Sequence, residues 1–283
     1  MRNETPPAND VIPIEVIQGD LPIVLTQPHA GTWLPTALQR RLRPQALALS
    51  DTDWHIPRLY AGLLPEASIV RTPVHRYVID VNRPPDNTPM YPGSHGTGLC
   101  PLTDFDGQPL YQPGQTPDAA EIRDRLQRWH RPYHAAIAAQ IRRLQQRHRK
   151  VLVFDCHSIR SHIPALFEGR LPVFNVGSFD DRSCAPQLTA MVAAVCAQAG
   201  QSRTEQPSSA CDFDHVVNGR FRGGYTTRHH GQPAAGVHAL QLELAQRAYM
   251  QEQPPWHYDA AKADRLRPIL REILQQALSW LQR

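Results

Sequence analysis

The clearest pattern in this chain is an unbroken apolar run, Val151-Leu152-Val153-Phe154, that passes directly into Asp155-Cys156-His157-Ser158. A strand covered on both faces of a parallel sheet needs such a run, and ligands bind just beyond the carboxyl ends of strands in sheets of that kind. Ile23-Val24-Leu25-Thr26 follows the same grammar and leads through Gln27-Pro28 to His29-Ala30-Gly31. Further strand patterns lie at residues 11–16, 68–71, 77–81, 171–176 and 237–244, with a weaker one at 211–217. Helical patterns fall between them. Residues 36–49 are interrupted at Pro44, and 119–149 carry an apolar stripe through Ile122, Leu126, Trp129, Tyr133, Ile137, Ile141 and Leu144 that Pro132 should kink or divide. Residues 186–200 and 259–283 complete the set. Strands alternating with helices predict an α/β fold with a mainly parallel or mixed central sheet.

At 283 residues and 41% hydrophobic content the chain suits one large domain, 1–283, and its interior contains no linker. Residues 1–10 are expected to be flexible. Residues 86–117, rich in proline and glycine, predict a long loop or lid. Within it, Gly93-Ser94-His95-Gly96-Thr97-Gly98 imitates a phosphate loop but follows a proline, not a strand, and reads as a flexible lid. A membrane span would need about eighteen consecutive apolar residues, and none occur; the polar start carries no signal-peptide pattern, so the expectation is a soluble, cytoplasmic protein. Five cysteines (Cys100, Cys156, Cys184, Cys196 and Cys211) without a C-x-x-C spacing argue against a disulfide framework or a zinc ribbon. The net charge of +4 comes from dispersed arginines, not blocks, which speaks against a nucleic-acid partner.

Two histidines at matching strand ends, His29 and His157, suggest a metal centre. A catalytic zinc site takes three protein ligands and leaves a position open for water. The third ligand is expected to be a loop acid: Asp53 is the first choice, with Asp51 and Asp155 as alternatives. Asp155 lies two residues before His157 on the same side of the strand, which suits it equally as the partner that orients that imidazole. Glu243 interrupts the apolar run Ala239-Leu240-Gln241-Leu242-Glu243-Leu244. A core carboxylate is either salt-bridged to an arginine or raised in pKa toward the range of a working base. Arg83, Arg220 and Arg222 lie beside turns, where guanidinium forks can grip carboxylates, and Arg76 is a candidate for substrate or for a developing oxyanion. No G-x-S-x-G elbow, Walker loop or G-x-G-x-x-G turn is present. Cys156 should point away from His157 into the core.

The ordered set Pro28-His29-Ala30-Gly31, Asp51-Thr52-Asp53-Trp54-His55, Tyr77-Val78-Ile79-Asp80-Val81-Asn82-Arg83-Pro84, Asp155-Cys156-His157-Ser158-Ile159-Arg160, Gly223-Gly224-Tyr225-Thr226-Thr227-Arg228 and Gln241-Leu242-Glu243 resembles the N-formylglutamate amidohydrolase family. The resemblance runs over residues 22–250. It implies a three-layer α/β/α fold similar to zinc carboxypeptidases and aspartoacylase-like hydrolases, with His29, Asp53 and His157 as metal ligands and Glu243 as base. It also implies Asn82 and Arg83 as a carboxylate-binding pair, with Tyr225 and Thr226 beside the substrate. One divalent ion is implied, zinc first, with cobalt, manganese or nickel as alternatives. The carboxypeptidases hold two ligands in one H-x-x-E motif, whereas here Thr32 stands three residues after His29. The implied reaction is hydrolysis of N-formyl-L-glutamate to formate and L-glutamate in histidine degradation, with a small dicarboxylate as substrate and neither nucleic acid nor membrane as a partner. A metallo-deacylase or carboxypeptidase acting on another N-acyl substrate, and a non-catalytic binder of acidic metabolites, are the competing readings.

Overall fold

A computed structural model describes residues 14–90, 97–201 and 213–283. Seven strands form one mixed sheet: β1 (Glu15–Ile17), β2 (Ile23–Gln27), β3 (Ser68–Arg71), β4 (Val151–Ile159), β5 (Phe174–Gly177), β6 (His215–Val217) and β7 (Val237–Ala245). Their order across the sheet is β1-β3-β2-β4-β7-β5-β6. The four inner strands β3, β2, β4 and β7 run parallel, β1 and β5 run antiparallel to their inner neighbours, and β6 pairs parallel to β5. All nine residues of β4 and all nine of β7 are buried, as the apolar runs require for central strands.

Helices cover both faces, giving three layers. Alternate strand residues pack on opposite sides, so Leu152, Phe154 and Cys156 join Leu240 and Leu242 against α5 (Pro186–Gln201) and α7 (Ala260–Leu281). Val151, Val153 and Ala239 face the other way, against α4 (Arg131–Gln145). The short helices α1 (Thr36–Gln39), α2 (Ile56–Tyr60), α3 (Ala119–Arg125) and α6 (Tyr225–His230) complete the set. Asp118 and Asp259 cap α3 and α7 by accepting the backbone N–H groups of Glu121 and Lys262. Among the described residues no helix is long and apolar enough to cross a membrane.

One expectation is corrected. The apolar stretch 77–81 is buried, but it forms consecutive turns and not a strand. Its backbone is satisfied without a ladder: Val78 N–H donates to His75 O at 2.9 Å, and Arg125 Nη1 donates to Val78 O at 2.7 Å. Just before Pro132 the long helical stripe divides into α3 and α4, as expected, and a π-turn over Leu126–His130 joins them, in which Arg131 N–H reaches back five residues to Leu126 O. The described part of the 86–117 loop is anchored: Leu99, Leu110 and Tyr111 are core residues, and residues 103–109 are bridged. The expected flexibility of residues 1–10, Cys211, and Gly93 to Gly96 of the glycine-rich segment lie outside the described residues.

A cluster of imidazoles behind the sheet gives a stability prediction. Burial, then the neighbouring His229, pushes His230 down to about 3, and burial followed by His130 and His230 lowers His134. Both are therefore neutral when folded, while in the unfolded chain they take up protons below about pH 6.5. The stability they contribute is complete above that pH and is lost as pH falls through 6.5 toward 3. The melting temperature should thus fall from pH 7 to pH 5, and His230→Asn should flatten that fall by up to about 1.4 kcal/mol per pH unit. Parallel pH profiles for the two proteins would contradict the burial argument.

Candidate active site

Three chain segments meet at the carboxyl ends of β2 and β4. His29 follows β2, and the chain turns away through Gly31, where a Cβ would lie 2.3 Å from the Pro73 carbonyl carbon. Asp53 sits in the loop before α2, and its N–H donates to His29 O at 3.0 Å. His157 lies within β4, in register with Glu243 of β7, so the two side chains share a face. His29 Nδ1 and His157 Nδ1 are 3.2 Å apart, and Asp53 Oδ2 is 3.1 Å from His157 Nδ1 and 3.8 Å from His29 Nδ1. One donor atom from each of the three lies within 4.8 Å of the others.

The far nitrogen of each imidazole is tied to a buried carboxylate. His29 Nε2 bonds Asp80 Oδ1 at 2.6 Å, and His157 Nε2 bonds Asp155 Oδ2 at 2.8 Å, so both rings can turn Nδ1 toward the centre. Thr26 Oγ1 donates to the other oxygen of Asp155 at 2.6 Å. Asp155 therefore takes the orienting position and not the third ligand position. Burial and then Arg76 hold His29 below its ordinary pKa. Burial opposes protonation of His157 as well, but Asp155 and Asp53 together carry it well above the ordinary value. Two imidazoles with one carboxylate are a donor set suited to a divalent transition ion.

Asp51 is directed elsewhere. Its Oδ2 accepts the Phe105 N–H at 2.9 Å and its Oδ1 lies 3.9 Å from Arg160, which also bonds Asp106. It fastens the loop carrying Phe105, a cavity wall residue, and burial raises it to about 7. Asp51→Asn should consequently retain bound metal and lose less than about tenfold in kcat/KM, since an amide oxygen still accepts the Phe105 N–H. Asp53→Asn should lose metal. A metal assay in which the two substitutions change places would reverse the assignment.

Glu243 is 6% exposed and burial pushes it up to about 8, with His157 opposing. Its nearest hydrogen-bond partner is Gln241 Nε2, at 3.2 Å from Oε2. It lines a cavity of about 140 Å³ together with His29, His157, Arg76, Asn82, Arg83 and Arg220. Arg76 is not wholly directed at that cavity, because its Nη2 donates to Asp53 Oδ1 at 2.8 Å. Arg83 is braced by Thr97, whose carbonyl accepts from its Nε at 2.8 Å.

Three expected substrate residues, Arg222, Tyr225 and Thr226, are absent from the cavity wall. The half-exposed Arg222 pairs with Asp180 at 3.3 Å, and Tyr225 stacks on His229 with ring centroids 4.9 Å apart. Adjacent residues of a glycine turn point in different directions, so Arg220 reaches the cavity while Arg222 faces outward. Thr226 acts through its backbone: its N–H donates to Asn82 Oδ1 at 2.8 Å, and Gly224 admits the Asn82 side chain, which a Cβ there would approach to 2.2 Å. Asp80 was missed by the sequence reading, although an acid inside the apolar stretch 77–81 is the signal that singled out Glu243.

An acid raised by burial that shares a cavity wall with His29 and His157, beside a triangle of metal-type donors at strand ends, is an arrangement suited to a metal-assisted hydrolase built on an α/β sheet. Residues 21–250 match the model of a family described as N-formylglutamate amidohydrolase. The N-formylglutamate deformylase of Pseudomonas aeruginosa is 46% identical over 265 residues, covering 93% of this chain and 95% of that protein. That of Pseudomonas putida is 44% identical over 264 residues, covering 93% and 94%. The crystal structure of N-formylglutamate amidohydrolase from Ralstonia eutropha JMP134 superposes with a TM-score of 0.77 at 23% identity, covering 95% of this chain and 98% of that one, and so shares the fold. The chain belongs to the N-formylglutamate amidohydrolase family.

Proposed function

We propose that this protein hydrolyses N-formyl-L-glutamate to formate and L-glutamate. The observation that carries this reading is the placement of Glu243, buried and raised in pKa, on the same cavity wall as His29 and His157. His29, Asp53 and His157 would hold one divalent ion, zinc by the chemistry of the donor set, with cobalt, manganese or nickel able to replace it. When bound, the ion supplies Lewis-acid polarisation of the formyl oxygen and lowers the pKa of water.

The chain's own residues do the rest. Glu243 takes a proton from water as the water oxygen attacks the formyl carbon, then delivers it to the amide nitrogen as the C–N bond breaks. Arg83, with Asn82, holds one carboxylate of the substrate and Arg220 the other, so that both ends of a small dianion fix the reacting amide between them. Against the effect of burial, His157 and then Arg76 keep Asp53 ionised, and Arg76 also holds it in place through a 2.8 Å bond and faces the negative charge that grows on the formyl oxygen. The family resemblance also motivates the wider assignment, a cytoplasmic step of histidine degradation.

Formate release from N-formyl-L-glutamate tests the reading. Purified protein should release formate, lose the activity to a chelator and regain it with zinc or another divalent ion. A panel of N-formyl, N-acetyl and N-succinyl amino acids compared by kcat/KM should rank N-formyl-L-glutamate first. Turnover that survives complete removal of metal, or another substrate at the head of the panel, would displace this assignment.

A further inference from the structure

The segment Val81-Asn82-Arg83 presents two side chains to the cavity but belongs to no strand, so the sheet does not fix its backbone. Each of its three carbonyls is nevertheless taken by a side chain. His134 Nε2 donates to Val81 O at 2.7 Å, Arg83 Nη1 to Asn82 O at 3.2 Å, and His130 Nε2 to Arg83 O at 2.8 Å. The two imidazoles stand four residues apart where the π-turn meets α4, on one face of the helix, with ring centroids 4.6 Å apart. Both are buried. A carbonyl oxygen only accepts, so each ring must carry its proton on Nε2. That leaves His134 Nδ1 to accept from His230 Nε2 at 3.0 Å, on α6, the helix whose first turn donates to Asn82 Oδ1.

We propose that His130 and His134 are positioning residues for substrate binding: they pin the carbonyls on either side of Asn82 and thereby aim Asn82 and Arg83 at a carboxylate of the substrate. This deepens the reading above and rests on it, since it takes the cavity's ligand to be N-formyl-L-glutamate. Neither histidine touches the cavity or the donor triangle, so both act through the backbone of the turn. The π-turn has a role in this account. An irregularity that accommodates Pro132 sits where the helix delivers both rings to one side of a turn without a ladder.

The test compares asparagine with glutamine at each position. Glutamine places an amide N–H near the position of Nε2, whereas asparagine is too short to reach the carbonyl. His130→Asn and His134→Asn should each raise KM for N-formyl-L-glutamate roughly tenfold, the equilibrium worth of one hydrogen bond, with kcat and bound metal within about twofold of wild type. His130→Gln and His134→Gln should bring KM back to within about threefold. A purely structural role would lower the melting temperature without this split between KM and kcat or the rescue by glutamine, and would overturn the proposal.

Long-range 15N imidazole spectra of the unsubstituted protein decide the matter where the asparagine variants fail to fold. Nε2–H tautomers at both positions support the pins, and Nδ1–H at either one defeats them. Absence of formate release by the wild type would remove the substrate reading instead, and the tautomers would still decide whether the two rings hold the turn.

Discussion

Glu243→Gln is expected to lower turnover of N-formyl-L-glutamate by about a thousandfold or more, at the upper end of what a positioned general base contributes, while bound metal stays stoichiometric. The reason is geometric before it is electrostatic. Glu243 lies in β7 beside His157 of β4, so the pleat turns both side chains to one face, and the cavity wall includes both. Glutamine keeps the shape and the contact with Gln241 but cannot take a proton from water. Because burial disfavours the charged form of this carboxyl, the substitution should not destabilise the fold, and the melting temperature should stay level or rise. Glu243→Ala should lose turnover similarly. Retention of turnover to within threefold in the glutamine variant would remove Glu243 from the role of base and make it a structural acid.

His157→Ala should abolish both metal binding and turnover. This imidazole is the hub of the donor set: its Nδ1 lies 3.1 Å from Asp53 and 3.2 Å from His29, while its Nε2 is fixed by Asp155. Two donors remain after its loss, fewer than a stable zinc site requires. The change also strands Asp155, which is fully buried and keeps only Thr26 among its side-chain hydrogen-bond partners here, so a stability loss of about 3–5 kcal/mol is expected from an uncompensated buried charge. Asp155→Asn should be milder, costing about 10–100-fold in metal affinity, because the ring remains but loses its orienting acceptor. Metal analysis of the purified variants, read beside their thermal melts, separates the two effects. Stoichiometric metal in His157→Ala would mean that the ion is held elsewhere.

What local pattern alone determined follows from burial and periodicity. The apolar runs of β2 and β4 marked strands buried on both faces, and the histidines that follow those runs marked the rim of the sheet, because covering both faces of a strand calls for successive apolar residues. Glu243 was legible for the same reason, since a charge inside such a run must be either paired or functional. The stripe of the long helix was legible too, since the helical period is local.

Tertiary structure alone separates Asp53, which comes to lie beside His29 and His157, from Asp51, chemically alike and two residues away. The choice is made by where the backbone of His29 and the loop at Phe105 come to lie. It also turned the apolar stretch 77–81 into a turn, because side chains of Arg125 and His134, far along the chain, supply donors that a neighbouring strand would otherwise provide. Arg220 and Arg222 were separated in the same way, by the direction in which one glycine turn faces. Periodicity records which face of an element is buried. It carries no record of which distant groups meet there, and in this protein those meetings bring Asp53 beside the two histidines and place the residues proposed to hold the substrate.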